Sequence, residues 1–570
     1  MCGLVGLWNF RGPIDPAELD RFTDAVAHRG PDGRGTHIDD NFGLGHRRLA
    51  ILDLTEAGAQ PMCYGGDDGR RYWIAFNGEI YNFLELRREL VARGHVFRSE
   101  TDTEVILAAY AEWGAACLPK FNGMFAFALW DSVKRELFLV RDRFGVKPLY
   151  FGMIGTTLAF ASEIKAFLAL SKFSPAMNQA VAAVAAQNPL GIEGAGTETI
   201  MAGVFRLPAG HTMTVTAEAS TRFVRWWATL ENLPRVPARY DEQVEMFREL
   251  VIDAVRLRMR SDVPIGTCLS GGLDSSAIAS TMAHIAERTG AGERSAKEWR
   301  HAFVAAFPGT VLDETQYART VVGHIAAVPH VWTFNQDAAL DLVLASVWAT
   351  EEINAGINVP VWAIYREMRR AGVLVSLDGH GGDEVLGGYT WYLDWPAREV
   401  NRRLQDDINA NVLPNILRNY DRASMAHGVE VRMPLLDWRV VTCAAALPVE
   451  AKMGGGYTKR ILRDAMRGIM PEDIRVRRQK IGFNAPMMEW FNSGFATVMR
   501  QVFSHPLWQS SPFWNASELT AAVEQRVSAR SWNMNDWSFG LTVWNCFNIV
   551  LWHALFVERD VSRFTTPRVA

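Results

Sequence analysis

The sequence has 570 residues, of which 59 are Lys or Arg and 63 are Asp or Glu, so its formal net charge is -4. This balance excludes the strongly basic surface of a nucleic-acid-binding protein and gives no polyacidic tail. Hydrophobic residues make up 49% and charged residues 21%, which excludes a disordered chain and is typical of globular proteins. The length predicts two or more domains.

The first part of the chain, residues 2–215, predicts an α+β domain with helices packed on antiparallel sheets. Short apolar runs such as W-I-A-F-N-G-E-I-Y and M-F-A-F-A-L-W-D, broken by Gly, Asn and Asp, indicate antiparallel strands. Between them, residues 82–94 place Leu84, Leu86 and Leu90 among charged residues and end in Gly, as an amphipathic helix does.

A linker is predicted at residues 230–239, where two prolines interrupt the periodicity. Residues 240–570 then alternate short apolar strands with helices, which predicts an α/β domain with a parallel sheet. The predicted strands are 263–269, 301–307 and 373–377, and the chain from Trp391 onward is expected to be helical.

The apolar stretch 538–556 is nearly long enough to cross a membrane. Asn545, Asn548 and His553 interrupt it, and no basic cluster flanks it, so we expect a core helix and no membrane partner. The six cysteines are too few for a disulfide scaffold in this length, and the N-terminus lacks the features of a signal peptide. We therefore expect a cytoplasmic protein.

The chain opens M-C-G-L-V-G, so removal of Met1 would leave Cys2 at the amino terminus. An α-amine has a pKa near 7.7–8.0 and is a suitable general base for a neighbouring thiol. Cys2 is therefore a candidate self-activating nucleophile. The alternative is a cysteine that follows Met by chance.

Other residues of this part could complete such a site. Asn77 and Gly78 offer a side-chain amide and a backbone N–H at a predicted strand-to-turn corner, the donor pair of an oxyanion hole. Arg48 is suited to hold a carboxylate by a bidentate contact, and Asp102 is suited to hold an ammonium group. Each residue by itself is more often an ordinary surface or turn residue.

Five motifs, M-C-G-L-V-G, H-R-G-P-D, H-R-R-L-A-I, F-N-G-E-I-Y-N and R-D-R-F-G-V-K-P-L-Y, resemble in order the class II (N-terminal nucleophile) glutamine amidotransferase domain. The resemblance implies that Cys2 attacks the glutamine amide, forms a glutamyl thioester and releases ammonia. It implies an oxyanion hole at Asn77 and Gly78. It also implies a glutamine-binding set of Arg48, Asn77, Glu79 and Asp102.

The heptamer S-G-G-L-D-S-S, residues 270–276, follows a predicted strand and precedes a predicted helix. Its glycines and hydroxyls suit phosphate binding, and Asp274 suits Mg²⁺. It is not a Walker A loop, because the G-K-[ST] ending is absent. It resembles the pyrophosphate loop of ATP pyrophosphatases, whereas the alternative is a Gly-Ser turn with Asp as a helix cap.

Three further motifs, G-H-G-G-D-E-V-L-G-G-Y at 379–389, G-V-E-V-R-M-P-L-L-D at 428–437 and R-R-Q-K-I-G-F at 477–483, follow in the chain. Together with the first domain, they resemble the glutamine-dependent asparagine synthetase family over nearly the whole chain. The resemblance implies glutamine, ATP and aspartate as substrates, and it is compatible with a homodimer. It implies Mg²⁺ at Asp274 and Asp383, and Lys480 as a catalytic residue that stabilises phosphate charge. The implied ATP-binding residues are Leu269, Ser270, Gly271, Gly272, Asp274, Ser275, Ser276, Asp378 and Gly379.

One position departs from the family pattern. His380 stands where the family usually has Glu, in G-E-G-S-D-E, so we take His380 as a candidate acid–base residue and Glu430 as an alternative one. The same departure keeps open an acceptor other than aspartate, either a uronic acid or a natural-product acid. A tolerated polar residue at His380 is the structural alternative, and a catalytically silent binding or regulatory subunit is a further reading of the whole chain.

Overall fold

A computed structural model describes residues 2–66, 70–193, 196–288, 293–335 and 341–564. Its first part forms two antiparallel sheets. In chain order, their strands are β1 (Gly3–Asn9), β2 (Gly33–Asp39), β3 (Phe42–Arg48), β4 (Met62–Tyr64), β5 (Tyr72–Ile80), β6 (Gly123–Asp131), β7 (Glu136–Arg141), β8 (Tyr150–Ile154), β9 (Thr157–Ala161), β10 (Phe205–Arg206), β11 (His211–Val215) and β12 (Thr221–Arg225). The helices of this part are α1 (Pro16–Asp24), α2 (Phe83–Ala92), α3 (Asp102–Trp113) and α4 (Gln179–Gln187).

The two sheets, in the orders β10-β8-β9-β1-β3-β2 and β12-β11-β7-β6-β5-β4, pack face to face. Alternation along β6 shows how: Ala126, Ala128 and Trp130 point into the core between the sheets, where they meet Leu4 and Trp8 of β1. The intervening residues of β6 instead pack under α2 and α3. Because side chains alternate between the two faces of a strand, both faces are buried, and the predicted α+β class is confirmed.

The later part contains a parallel sheet in the order β15-β14-β13-β16-β17. Its strands are β13 (Ile265–Cys268), β14 (His301–Ala306), β15 (Val328–Thr333), β16 (Val375–Leu377) and β17 (Glu430–Arg432). The predicted parallel sheet is confirmed, with each predicted strand shortened by one to three residues. The strands β13, β14, β16 and β17 are largely buried, as expected where helices cover a parallel sheet, whereas β15 at the edge of the sheet is mostly exposed.

Helices make up most of the remaining chain, as expected from Trp391 onward. The α-helices of the later part, in chain order, are α5 (Tyr240–Arg258), which precedes the sheet, α6 (Leu273–Arg288), α7 (Thr315–Ile325), α8 (Val343–Thr350), α9 (Val359–Arg370), α10 (Gly382–Leu386), α11 (Ala397–Asp406), α12 (Leu413–Met425), α13 (Trp438–Ala446), α14 (Val449–Lys452), α15 (Arg460–Ala465), α16 (Glu472–Arg475), α17 (Met487–Phe491), α18 (Phe495–Phe503), α19 (Pro506–Ser510), α20 (Ala516–Ala529) and α21 (Trp537–His553).

The apolar C-terminal stretch forms α21, whose side chains pack in a core shared with α17, α18 and α1. Met534–Glu558 is the one helical stretch of the described residues that is long and apolar enough to cross a membrane, and 72% of its most apolar window is buried inside the protein. This packing confirms the expected core helix.

The domain boundaries expected from the sequence were 2–215 and 240–570. The second sheet continues past Val215, because β12 pairs with β11 from Thr221 to Arg225. We therefore propose that the first domain extends at least to Arg225, whereas the second begins with α5 at Tyr240.

Candidate active sites

Cys2 is buried, immediately precedes β1 and contacts Leu49, the residue that follows β3. Its backbone N–H donates to Asn77 Oδ1 at 3.2 Å, and its Sγ lies 4.0 Å from the Leu49 carbonyl oxygen. Burial raises the pKa of the Cys2 thiol, while the Leu49 carbonyl contact and the Arg48 charge act to lower it. The thiol therefore needs a nearby base to become a thiolate.

Asn77 and Gly78 lie within β5, paired with Ala126 and Phe125 of β6, and not at a strand-to-turn corner as predicted. Asn77 is fully buried, and its Nδ2 has no hydrogen-bond partner among the described residues. Gly78 has φ 155°, and a Cβ there would lie 2.2 Å from the Met124 carbonyl oxygen, so only glycine fits. A buried amide donor without a partner is costly and suits a ligand oxygen.

A small cavity opens beside the Cys2 thiol. Its described lining contains Cys2, Gly78 and three of the four expected glutamine-binding residues, namely Arg48, Glu79 and Asp102, whereas the fourth, Asn77, is not part of that lining. Arg48 is held in place by the backbone carbonyls of the following loop, with Nη1 donating to Thr55 O at 2.7 Å. Asn77 contacts Cys2 from the side of the cavity.

Two buried carboxylates give this cavity its charge. Burial raises the pKa of Asp102 to about 6, against the lowering effect of a hydrogen bond from Ile80 N–H at 2.7 Å. Burial and the Asp102 carboxylate also raise the pKa of Glu79 well above its usual range. Two carboxylates that cannot easily ionise together favour a cation between them, as the α-ammonium group of an amino acid would provide.

The sequence did not single out Gln60, Thr101 or Thr103, which also line the cavity. Gln60 links β5 to the first turn of α3, because its Oε1 accepts from Phe76 N–H at 2.7 Å and its Nε2 donates to Thr103 Oγ1 at 3.1 Å. The two threonines flank Asp102 in S-E-T-D-T-E, which is the signal that could have identified them.

A much larger cavity of about 460 Å³ lies at the carboxyl ends of β13 and β16. This is the edge of a parallel sheet at which ligands bind. The pyrophosphate loop connects β13 to α6, and its last four residues form the first turn of the helix. The predicted residues that line the cavity are Leu269, Ser270, Gly272, Asp274, Ser275, Gly379, His380, Asp383 and Lys480.

Three of the predicted ATP-binding residues lie behind this surface. Gly271 packs against α7, Ser276 is fully buried in α6, and Asp378 is 1% exposed beneath the loop after β16. A Cβ at Gly379 would lie 2.5 Å from the Asp274 carbonyl carbon, so glycine allows the loops after β13 and β16 to meet. Leu190, from the first part of the chain, also lines the cavity.

The cavity contains a compact cluster of opposite charges. Lys459 Nζ contacts Asp274 Oδ2 and lies 2.6 Å from Asp383 Oδ1, and Lys480 Nζ donates to Asp383 Oδ2 at 2.8 Å. Despite burial, the two lysines hold the pKa of Asp383 well below its usual range. The sequence missed Lys459, which follows a glycine-rich turn in G-G-G-Y-T-K-R.

Asp274 fits the proposed role as a Mg²⁺ ligand. Its Oδ1 is buried and has no hydrogen-bond partner among the described residues. Hard cations such as Mg²⁺ take oxygen ligands of this type, usually together with phosphate oxygens of the substrate. Asp383 supplies a second carboxylate across Lys459, so the two predicted residues lie together.

Glu430 does not lie beside His380. It is the first residue of β17, and its Oε1 accepts from Arg432 Nε at 2.5 Å. Arg432 in turn approaches Glu79 of the small cavity, with 3.6 Å between Nη2 and Oε2. Glu430 is not among the described residues that line the large cavity, so the structure does not bring this second acid–base candidate to His380.

Buried charges join the two parts of the chain. Arg29, which is fully buried, donates from Nε to the Cys2 carbonyl oxygen at 3.1 Å and from Nη1 to Glu163 Oε1 at 2.7 Å. Its guanidinium also makes two contacts to Asp421 of α12, at 3.0 and 3.2 Å. The neighbouring Tyr420 of α12 packs on His380 in the large cavity. Helix α12 therefore lines the large cavity and is connected to Cys2 through Arg29.

Comparisons with known proteins cover both parts of the chain in the same order. A glutamine amidotransferase domain model matches residues 1–227, and an asparagine synthase model matches residues 246–403 and 395–554. The glutamine-hydrolyzing asparagine synthetase 1 of Bacillus subtilis is 27% identical, over 98% of this chain and 97% of that protein. Asparagine synthetase 3 of the same organism is 31% identical over 84% and 86% of the two chains. Asparagine synthetase B of Escherichia coli is 30% identical over 89% and 86%.

Proposed function

This chain belongs to the asparagine synthase family and carries an N-terminal glutamine amidotransferase domain, and from that premise we propose that it converts aspartate to asparagine. Enzymes of this kind are ATP-dependent ligases. In the proposed reaction, glutamine is hydrolysed to glutamate and ammonia. ATP adenylates the aspartate side-chain carboxylate, and ammonia then displaces AMP to give asparagine.

The observation that carries the proposal is the presence of both sites in one chain. The small cavity has a buried thiol and two buried carboxylates, and the unpartnered amide donor of Asn77 lies beside Cys2. The large cavity has the pyrophosphate loop, two lysines and two carboxylates. A silent regulatory subunit would have no need to keep both sets.

In the glutaminase half-reaction, we infer that the Cys2 amine is the general base once Met1 has been removed. The nitrogen that would become this amine already contacts Asn77 Oδ1. The thiolate attacks the glutamine side-chain carbonyl, and Asn77 Nδ2 and the Gly78 N–H stabilise the oxyanion. Ammonia leaves, and water then hydrolyses the thioester. Arg48 pairs with the α-carboxylate of glutamine, whereas Glu79 and Asp102 pair with its α-ammonium group.

In the synthetase half-reaction, we infer that the pyrophosphate loop binds the phosphates of ATP. Asp274 and Asp383 would hold Mg²⁺, which neutralises phosphate charge when it is bound. Lys480 supports the negative charge that develops as pyrophosphate leaves. Adenylation is needed because hydroxide is a poor leaving group from a carboxylate, whereas AMP is a good one.

Aspartate is the acceptor that the names of the similar proteins support, and a cytoplasmic location fits the small number of cysteines, six in 570 residues. The test is an acceptor screen with purified protein, glutamine, ATP and Mg²⁺. Aspartate is compared with uronic acids and other carboxylic acids, and pyrophosphate and product mass are read together.

We expect asparagine, AMP and glutamate in equal amounts with aspartate. Glutamate formation without aspartate-dependent pyrophosphate release would contradict the proposed acceptor while leaving the glutaminase intact. Pyrophosphate release with another acid would identify that acid as the acceptor instead.

A further inference from the structure

His380 lies in the large cavity in a position suited to proton transfer. Its side chain is 20% exposed and lines the cavity, and its ring packs on Tyr420 with 3.5 Å between ring centroids. Nε2 is buried and lies 3.5 Å from Asp378 Oδ2. With Nε2 directed at a carboxylate, Nδ1 is the nitrogen left for a ligand in the cavity.

Hydrogen bonds hold the Asp378 carboxylate in one position next to the His380 ring. Its Oδ1 accepts from Ser376 Oγ at 2.6 Å and from Cys268 N–H at 3.0 Å, and its Oδ2 accepts from Tyr365 OH at 2.7 Å. These donors and His380 outweigh burial and hold the pKa of Asp378 below its usual value. A carboxylate held in this way orients a histidine and stabilises its protonated form.

The other acidic groups that line the described part of the cavity are already engaged. Asp274 and Asp383 contact Lys459, and Glu314 lies 2.6 Å from Arg477. Glu384 is 1% exposed and accepts from Tyr389 OH. His380 is the histidine among these lining residues, and a substrate in the cavity can reach its ring.

The neutral hydroxyl and thiol groups of the lining are poor proton acceptors. Burial raises the pKa of Tyr420, Tyr389 and Tyr365, and burial together with the Asp378 charge raises the pKa of Cys268. These groups keep their protons at neutral pH. None of them takes a proton as readily as an imidazole does.

We propose that His380 is the general base for ammonia transfer and that Asp378 is its positioning residue, an inference that rests on the proposed function. As the ammonia nitrogen forms its bond to the acyl carbon, one N–H proton passes to His380 Nδ1. The bond between the acyl carbon and the AMP oxygen breaks, and AMP leaves with that electron pair. The imidazolium then returns the proton to solvent.

The test separates adenylation from transfer, with an ammonium salt in place of glutamine. Acceptor-dependent exchange of pyrophosphate into ATP reports adenylation, and amide formed per pyrophosphate released reports transfer. For His380→Gln, we expect adenylation to change by less than about threefold and amide formation to fall by about 100-fold, the usual contribution of a general base. Because the acyl-adenylate is then lost to water, amide per pyrophosphate falls as well.

Two variants separate a chemical role from a structural one. His380→Glu restores a base and should recover at least about tenfold of the lost amide formation. Asp378→Asn should lower kcat for amide formation by about tenfold, with little change in KM for the acceptor. His284→Gln, the same substitution on α6 outside the described lining of the cavity, should match the wild type.

The outcomes are distinct. The assignment of the base would be overturned if His380→Gln formed amide at the wild-type rate. It would also be overturned if amide formation were lost in Glu384→Gln but not in His380→Gln. If His380→Gln also loses pyrophosphate exchange, the His380→Ala variant is assayed with added imidazole. Amide formation that returns with imidazole supports the proposed base, and amide formation that does not return overturns it. Wild-type protein without aspartate-dependent exchange would contradict the proposed acceptor instead, and the same comparison would be made with the acid that supports exchange.

Discussion

The two cavities differ in how their walls are assembled. The described lining of the small cavity comes from residues 2–103, close together in the chain, whereas that of the large cavity runs from Leu190 to Asn484. The first has its thiol, donors and carboxylates already around one space. The second contains lysines and aspartates paired with each other, in the space where charged substrates are expected. A site formed by residues close in sequence can hold its functional groups in place without a ligand. In a site formed by distant elements, lysines and aspartates pair with each other until a charged ligand separates them.

The sharpest separation of the two sites is expected from Cys2→Ala. Removal of the nucleophile should abolish glutaminase activity and glutamine-dependent amide formation, a loss of more than about 1000-fold. Ammonium-dependent amide formation should continue, because the thiol does not line the large cavity. Glutamate and asparagine are measured with each nitrogen source.

Cys63→Ala on β4 is the control for the loss of a cysteine. Glutamine-dependent activity that survives in Cys2→Ala would show that another group is the nucleophile. An equal loss of ammonium-dependent amide formation in Cys2→Ala would contradict the prediction, because the two sites would then not act separately.

The next largest effect is expected from Lys459→Met in the large cavity. Without this lysine, Asp274 and Asp383 lose their shared cation and transition-state charge on phosphate loses a donor, so pyrophosphate release should fall by about 100-fold. Glutaminase activity should be unchanged. Lys452→Met is the matched control, because Lys452 is equally buried but donates to the carbonyls of Ala444 and Leu447. Equal losses in both variants would point to stability as the cause.

The sequence predicted the small cavity well because its motifs are local. Arg48 at the end of β3, Gly78 and Glu79 in β5 and Asp102 at the start of α3 meet around Cys2. Asn77 and Gly78 lie inside β5 because β6 pairs with them to the strand's end. Apolar alternation predicted the strands but not this register.

The large cavity was predicted less completely. The pyrophosphate loop and Gly379 were found from motifs that follow strands, but Lys459 reaches Asp274 and Asp383 across 185 and 76 residues of sequence, and no local pattern shows that contact. Glu430 was an alternative acid–base candidate to His380, but it is the first residue of β17. Its side chain instead turns to Arg432 on the side of the small cavity.

Arg29→Lys tests whether the second part of the chain supports the first site. Lysine keeps the positive charge near Asp421 and Glu163 but lacks the Nε–H that holds the Cys2 carbonyl. We expect glutaminase kcat/KM to fall by about tenfold, with ammonium-dependent synthesis retained. Arg206→Lys is the control, because this buried arginine pairs with Glu352 across the same two parts and does not touch Cys2. Equal effects would mean that any buried arginine of the interface matters alike.

The smallest effect concerns the charge of the small cavity and is best measured as binding. In the Cys2→Ala background, which removes the reaction, the affinity for glutamine should fall below about pH 6, because protonated Asp102 no longer holds the α-ammonium group. Stepwise calorimetric titration between pH 5 and 8 should show a decrease of severalfold across that range. Asp102→Asn in the same background should bind glutamine more weakly at every pH and with a flatter profile. An unchanged pH dependence in that variant would assign the effect to Glu79, whose pKa is raised even further by burial and by Asp102, and would make Glu79 the principal partner of the ammonium group.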